Sequence, residues 1–383
     1  LAGNKFNANR EGVRITNSNS VTFQGNTISS NSEDGVIIDG GSNVVVGSPF
    51  QFGGNVINSN RNGVRVINGS TGFTIQNNII GSTGGGPGNS DAGIRLDGIT
   101  NAIIGGSKTL AGNFVSGNRN GLYLTGGSGK ATILGNFFVN SIENGITLEG
   151  SSQNQIGGQT EFERNIISAN GLNGIHLRPD FANPLAPVFS NNNKIQGNYI
   201  GVNSTGTGNF GNGNAGIYID GGNNNLIGGK VHDVANKLEE GNIIANSGAS
   251  GVAVLEDNGM ARGNSILGNN IYGSGKLGID LGSNLGLVTL NDKLDADTGA
   301  NNLQNFPEIT FAEVGLVSSV AQGKLHSTPN STFRVEFFGD NQANPNGNPT
   351  GYGQGRTYLG SVDVTTDAAG DATFNFFAPV SFT

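Results

Sequence analysis

The sequence has no cysteine, no tryptophan and a single methionine among its 383 residues. Without thiols there are no disulfides, no thiol chemistry and no thiolate ligands for a soft metal. It does not decide the compartment. No run of about 18 apolar residues occurs, so no helix is long and apolar enough to cross a membrane. Charged residues make up only 13%, too few for a highly charged disordered chain. The formal net charge is −8 and the 20 Lys and Arg residues are scattered, which argues against a nucleic-acid partner. What the chain does have is 66 glycines and many Val, Ile, Leu and Phe residues, with apolar residues at 34%. That combination implies apolar groups spread thinly along an extended core.

One phrase keeps returning. Residues 25–40 read GNTISSNSEDGVIIDG and residues 135–150 read GNFFVNSIENGITLEG. The Gly-Asn opening or a close variant begins at 3, 25, 54, 77, 112, 135, 164, 197, 241 and 268, with minimal spacings of 22 and 23 residues. A minimal unit holds three short β-branched pieces bounded by Gly, Asn or Ser, such as Thr27-Ile28, Val36-Ile37-Ile38 and Val44-Val45-Val46. No segment sustains a 3.6-residue apolar period. Three short strands per turn, stacked about ten times, predict a parallel β-helix, a quasi-one-dimensional rod on the order of 45 Å long. The unequal loops favour the right-handed form. The recurring Asn4, Asn26, Asn55, Asn78, Asn113, Asn136, Asn165, Asn198 and Asn242 would share one corner and bond along the axis as a ladder, since an amide both donates and accepts.

The true unit is two coils, because a longer loop after the third strand recurs in alternate turns: VVVGSPFQFGGN, IIGGSKTLAGN, QIGGQTEFERN and LIGGKVHDVANKLEEGN. The stretch NNKIQGNYIGVNSTGTGNFGNGNAGIYIDGGNNNLIGG at 192–229 resembles the two-coil repeat of large extracellular bacterial proteins of the right-handed parallel β-helix type. That superfamily also holds pectate lyases, polygalacturonases and alginate epimerases. The resemblance covers roughly residues 1–285 and implies fold far more specifically than activity, because the recurring residues are those that build coils.

After Gly282 the pattern breaks. The expected organisation is a β-helix over 1–290, a polar linker over 291–306, and a small immunoglobulin-like β-sandwich over 307–383. The strands STFRVEFFGD, TYLGSVDVTTD and DATFNFFAPV alternate in polarity, with DAAGD at 367–371 read as a hairpin turn. NNLQNFPEI…TYLGS resembles the module that follows such rods in the same surface proteins. Because the chain starts inside the repeat and stops in a strand-like run, a longer parent protein is expected. Asp292, Asp295, Asp297 and Asn301 offer closely spaced oxygen ligands of the kind calcium takes, although the spacing is not that of an EF-hand. The alternative there is a solvated acidic turn.

In the strand motif Gly-h-X-h-Z the two h residues point inward, and X and Z point outward. Two outward columns follow, and their middle concentrates Arg95, Asp97, Tyr123, Glu149, His176, Arg178, Tyr218 and Asp220. By the resemblance, such a face is where β-helix enzymes hold a polysaccharide, with acids binding calcium or moving protons. Without it, the same residues form an exposed ion ladder with Arg178 between Glu149 and Asp220, and His176 an exposed member of its column. His232 and His326 carry no signal. No acids stand on adjacent coils, and no lyase or epimerase signature is present. The favoured reading is therefore an extracellular, secreted bacterial rod, structural or adhesive, whose partners are polysaccharide or other surface proteins. A polysaccharide-processing enzyme (lyase, glycoside hydrolase or uronate epimerase) is the alternative.

Overall fold

The structure, a computed structural model, describes residues 3–82, 84, 88–233, 235–282, 286–315, 318–340 and 352–378. Each coil of the repeat gives one strand to each of three parallel sheets. The first sheet runs through ten strands from Lys5–Asn7 to Asn270–Tyr272, and the second through ten from Val13–Thr16 to Ile279–Leu281. The third has nine, from Thr22–Phe23 to Ser265–Leu267. This is the right-handed parallel β-helix that the repeat predicts. Its only helical turns among the described residues are two short 3-10 pieces, Lys293–Asp295 and Ala300–Leu303.

The core is a set of inward columns. The second member of each apolar pair in the first sheet stacks as Ile28, Ile57, Ile80, Val115, Phe138, Ile167, Ile200 and Ile244, all fully buried. Each such side chain contributes about 1.5–3 kcal/mol relative to exposure. No single coil could bury its own members, so stacking is the condition for folding.

The asparagine ladder runs as expected. The backbone N and Nδ2 of Asn136 both donate to Oδ1 of Asn165 on the next coil, at 2.9 and 3.0 Å. The same pair of bonds joins Asn26 to Asn55, Asn78 to Asn113, and Asn198 to Asn242. Two further ladders stand at other corners. One links Asn31, Asn60, Asn89 and Asn118. The other links Asn154, Asn193, Asn225 and Asn264, and closes on Asn301, whose Oδ1 accepts from Asn264 N at 3.0 Å. Ala300 beside it joins the rod's core cluster. Glycine is required where coils meet: a Cβ on Gly35 would lie 2.8 Å from both the Asn60 amide and the Gly63 carbonyl.

The C-terminal strands form a small antiparallel β domain of two sheets. Glu308–Val314, Ser319–His326 and Asp371–Ala378 make one; Thr332–Gly339 and Thr357–Thr365 make the other. Val335, Phe337, Leu325, Val364 and Phe374 fill the space between them, with Phe337 stacked on Phe376 at 4.1 Å. The DAAGD turn is not a hairpin connection. It carries the chain from Thr357–Thr365 to Asp371–Ala378, which lie in different sheets. This domain also closes the rod. Gly355 bridges Ile271 in antiparallel fashion, Gln354 bonds Ser274 and Lys276, and Glu336 accepts from Gly268 N at 2.8 Å. The last coil's edge would otherwise offer unpaired strand groups.

Candidate functional site

The outer face of the second sheet carries the column read from the sequence, in register along the whole rod: Arg14, Ile37, Arg65, Arg95, Tyr123, Thr147, His176, Tyr218, Ala253 and Asp280. The second column pairs Asp97 with Thr125, Glu149 with Arg178, and Asp220 with Leu255.

These side chains sort into two groups. In the lower one, Asp97 accepts from Arg95 Nε at 2.8 Å and from Arg65 Nε at 2.7 Å. Arg95 lies over the Tyr123 ring, 4.8 Å from its centre. In the upper one, Arg178 pairs with Glu149 at 2.5 Å and donates to the Tyr123 hydroxyl at 2.9 Å, while Thr125 donates to Glu149 at 3.0 Å. Tyr123 is the hinge between the groups, and burial raises its pKa.

Two expectations are corrected. Arg178 does not bridge Glu149 to Asp220. Asp220 instead accepts from the backbone N and the side-chain amide of Asn258, on a loop that follows the next strand of the sheet. Nor is His176 an exposed column residue. It is enclosed edge-to-face with Tyr218 at 5.1 Å, and its Nε2 has no hydrogen-bond partner among the described residues. Burial, and then the Arg178 charge, push its pKa down to about 4, so the ring is neutral at pH 7. Burial also raises Asp220, with Asp257 adding to the effect, and pushes Tyr218 up to about 12.

The cause of both corrections is a pair of loops that the repeat does not foretell. Residues 179–189 leave the second sheet as a short excursion, closed by an antiparallel bridge between Asp180 and Val188. Residues 256–262 leave it two coils on. The loops meet where Phe189 packs on Gly259, at which a Cβ would come within 2.2 Å of the ring. Outward positions near them are covered, with Asp220, Ala253 and Leu255 buried; Asp280, one coil further on, is buried beside a separate segment at Gly286. Asp280 takes Ser250 Oγ at 2.8 Å and Gly286 N at 2.6 Å.

Between the loops and the column lies an open depression of about 450 Å³, lined by Glu149, His176, Arg178, Pro179, Asp180, Phe181, Ala182, Asp220 and Asn258. Phe181 stands exposed at its wall. It brings together Glu149, His176, Arg178 and Asp220 of the sequence candidates; Tyr123 and Tyr218 support it from either side, while Arg95 and Asp97 lie one group away. The column does not mark Asp180, Phe181 or Asn258; the signal for the first two is the eleven-residue interruption PDFANPLAPVF between strand and third-sheet return. A larger cavity of about 730 Å³ lies elsewhere, between the last coil and the β domain, with mostly apolar walls.

Among the second set of candidates, Asp292, Asp295 and Asp297 converge, with ligand oxygens all within 4.8 Å of one another. Asp292 accepts from the Ala296 and Asp297 backbone; Asp295 accepts from Asn305 N and Ser327 Oγ. One Asp297 oxygen is buried without a partner among the described residues. Burial, then Asp292 and Asp295, raise its pKa. Asn301 stands apart, its amide committed to the ladder through Asn264.

Three continuous parallel sheets, stacked asparagines and a face remodelled by two loops define a right-handed parallel β-helix protein. Residues 1–144 and 47–228 match the family described as periplasmic copper-binding protein (NosD). Together these matches take in more than half of the chain, which belongs to that family and is an exported bacterial protein. Similar solved structures include the periplasmic alginate epimerase AlgG, at 18% identity and a TM-score of 0.39 over 67% of this chain and 50% of that one. Geobacillus virus E2 ORF18 aligns at 11% identity and a TM-score of 0.43, over 99% of this chain and 70% of that one. The enzymatically active domain of bacteriophage CBA120 tailspike protein 2 aligns at 9% and 0.41, over 98% and 66%. The chain thus spans half the length of the AlgG chain. No curated protein sequence matches it.

The family description raises copper, and the donors do not fit it. Copper sites draw on Cys, Met and His. There is no Cys, and the one Met, Met260, is exposed on the 256–262 loop. The three histidines are apart: His176 faces Tyr218, His232 is paired with Glu239, and His326 is paired with Asp371 at 2.7 Å. Among the described residues the one convergent group is the three aspartates, an oxygen set suited to hard cations.

Proposed function

We propose that this chain is a structural and adhesive rod of the cell exterior, whose second-sheet depression holds a segment of polysaccharide. The observation that carries this reading is the convergence, at one open depression, of carboxylates, a guanidinium and an exposed aromatic wall: Glu149, Arg178, Asp220 and Phe181. Sugars present hydroxyls to carboxylates and amides, and C–H faces to aromatic rings. Convergent polar groups beside an apolar wall meet both demands. The rod over 1–290 acts as scaffold and the module over 307–383 as its terminator and spacer. Asp292, Asp295 and Asp297 form the proposed calcium site of this arrangement, placed at the junction.

A processing enzyme is the second reading, favoured by one feature. His176 is neutral at pH 7, has a free ring nitrogen, and lies beside Tyr218 and Asp220. A general base needs that combination of proton acceptor and proximity.

One experiment separates the two. The protein is incubated with neutral and with uronate-containing polysaccharides, with and without calcium, and binding, new reducing ends and absorbance from unsaturated products are read. Binding without turnover, weakened by Tyr218→Ala or Phe181→Ala, supports the adhesive rod. Turnover lost in His176→Ala or Glu149→Ala replaces it with the enzyme. No binding to any glycan overturns the depression as a glycan site.

A further inference from the structure

From the outer face of the first sheet we infer that two copies of this chain pair through it, back to back, about a two-fold axis near Leu110. In the phrase Gly-Asn-h-h the second h is core. The first faces outward, and along the rod these first residues stack in register as Val56, Ile79, Phe114, Phe137, Ile166 and Tyr199. They form an uninterrupted apolar stripe of six coils, in which Phe114 and Phe137 sit with rings 6.0 Å apart. Ile79 and Phe114 in its middle are exposed, while Ile166 is buried. Arg164 covers Tyr199, 3.9 Å from the ring centre, and so closes the stripe at one end.

The long loops of alternate coils border this stripe, all leaning back on the preceding coil at the same corner. The Phe52 carbonyl lies over Gly25, Ala111 O accepts from Asn77 N at 3.0 Å, and the Phe162 carbonyl lies over Gly135. Their tips are apolar and exposed: Phe50 at 75%, Phe52 at 89%, Leu110 at 51% and Phe162 at 53%. The fourth such loop instead carries His232, Asp233, Lys237, Glu239 and Glu240, and ends the apolar row. At about 200 Å² per ring, Phe50, Phe52, Phe114 and Phe162 alone present on the order of 500 Å². The largest apolar patch on an ordinary monomer is about 300–600 Å², and patches of that size are often functional. With the aliphatic members added, the face approaches the roughly 800 Å² per partner of a standard interface.

A second copy fits this face better than a charged partner does. The chain carries −8 overall, so two copies repel except across a neutral surface. The three apolar loops carry Lys108 and Arg164 against Glu161 and Glu163, a balance of zero. A glycan would find few hydrogen-bonding groups on a stripe of Val, Ile and Phe. Phe52 and Phe162 stand at equivalent places, two repeats apart, with Leu110 midway between them. A two-fold axis at Leu110 therefore sets Phe52 on Phe162 of the other copy, and Leu110 on Leu110, a self-complementary interface.

Light scattering on the 383-residue chain, eluted from a sizing column at tens of micromolar, is expected to give twice the 39.2 kDa chain mass. Phe52→Asp combined with Phe162→Asp is expected to halve that mass with an unchanged far-ultraviolet spectrum. Because the chain has no cysteine, Leu110→Cys should form an intermolecular disulfide on mild oxidation, whereas Phe52→Cys alone should not. A wild-type mass of one chain overturns the inference. So does a dimer that survives the double substitution, or equal cross-linking from both cysteine variants.

Discussion

Arg178 reaches down two coils to the hydroxyl of Tyr123, 2.9 Å away and 55 residues earlier in the chain. The guanidinium makes this bond while paired with Glu149 on the coil between. A planar fork can serve two acceptors at once; an ammonium of similar length serves them less well. Arg178→Lys should therefore destabilise the rod modestly, by about 1 kcal/mol for a partly exposed pair. In a chain of this size that lowers the melting temperature by about 2 °C. Calorimetry showing no shift would remove Tyr123–Arg178 as the link between the two groups of the second sheet.

The ladder offers a larger effect. Asn136 is fully buried, donates to Ile104 O, Leu134 O and Asn165 Oδ1, and accepts from both nitrogens of Asn113. Asn136→Ala leaves several of those partners without a bond, and each orphaned group costs about 1–3 kcal/mol. The expected loss is about 3 kcal/mol or more in urea unfolding. Asn4 at the exposed end of the same ladder bonds only upward to Asn26, and Asn4→Ala should cost well under 1 kcal/mol. Equal losses at the two ends would mean that burial does not set the ladder's strength.

The coils were legible in the sequence because their cause is local. A Gly that must accept a neighbouring coil, an Asn that must bond its successor and a β-branched inward residue recur in a fixed order, and their order gives both sheet register and outward columns. The partners of those outward residues were not legible. The column predicts that Asp220 meets its neighbour Arg178, but Asp220 is taken by Asn258 from a loop that the repeat does not encode. The column likewise predicts His176 in solvent, and the ring instead packs against Tyr218. The Gly-Asn-h-h phrase also hides its outward member, since Phe114 reads as core as readily as Val115 does. Burial on this rod depends on irregular excursions, and a repeat carries no information about where its own pattern is interrupted.

Calcium should act on the junction between rod and module. The three carboxylates at Asp292, Asp295 and Asp297 repel one another, and Asp297 is held above the usual carboxylate range by burial and its two neighbours. A divalent cation removes that penalty. Calcium added to chelator-treated protein is expected to raise the melting temperature by several degrees. Asp297→Asn should raise the melting temperature of the calcium-free protein and abolish the response to calcium. A response that persists in Asp297→Asn, or none in the wild type, rules these three residues out as a calcium site.

His176 gives the protein an acid-sensitive window with a definite sign. In the folded rod its pKa is pushed down to about 4 by burial and the Arg178 charge, against 6.5 in the unfolded chain. Above pH 6.5 the ring is neutral in both states and the residue contributes no pH dependence. As the pH falls from about 6.5 toward 4 the unfolded chain takes up a proton that the folded one does not, so stability is lost across that interval. The loss is bounded by about 3 kcal/mol, the value of a shift of that size. Asp220, whose pKa burial raises, has the opposite sign: its folded state binds the proton more readily and gains stability as the pH falls toward its own titration. Where the two overlap they oppose each other, so the share of His176 is read from the difference between the wild type and a variant that cannot titrate at that position. Denaturant unfolding of wild type and His176→Gln at several pH values tests this. On acidification from pH 6.5 to 5.5 the wild type should lose more stability than His176→Gln does, since glutamine does not titrate. Parallel slopes for the two proteins would mean that His176 takes up its proton as freely in the rod as in the unfolded chain, and that neither burial nor the Arg178 charge holds its pKa down.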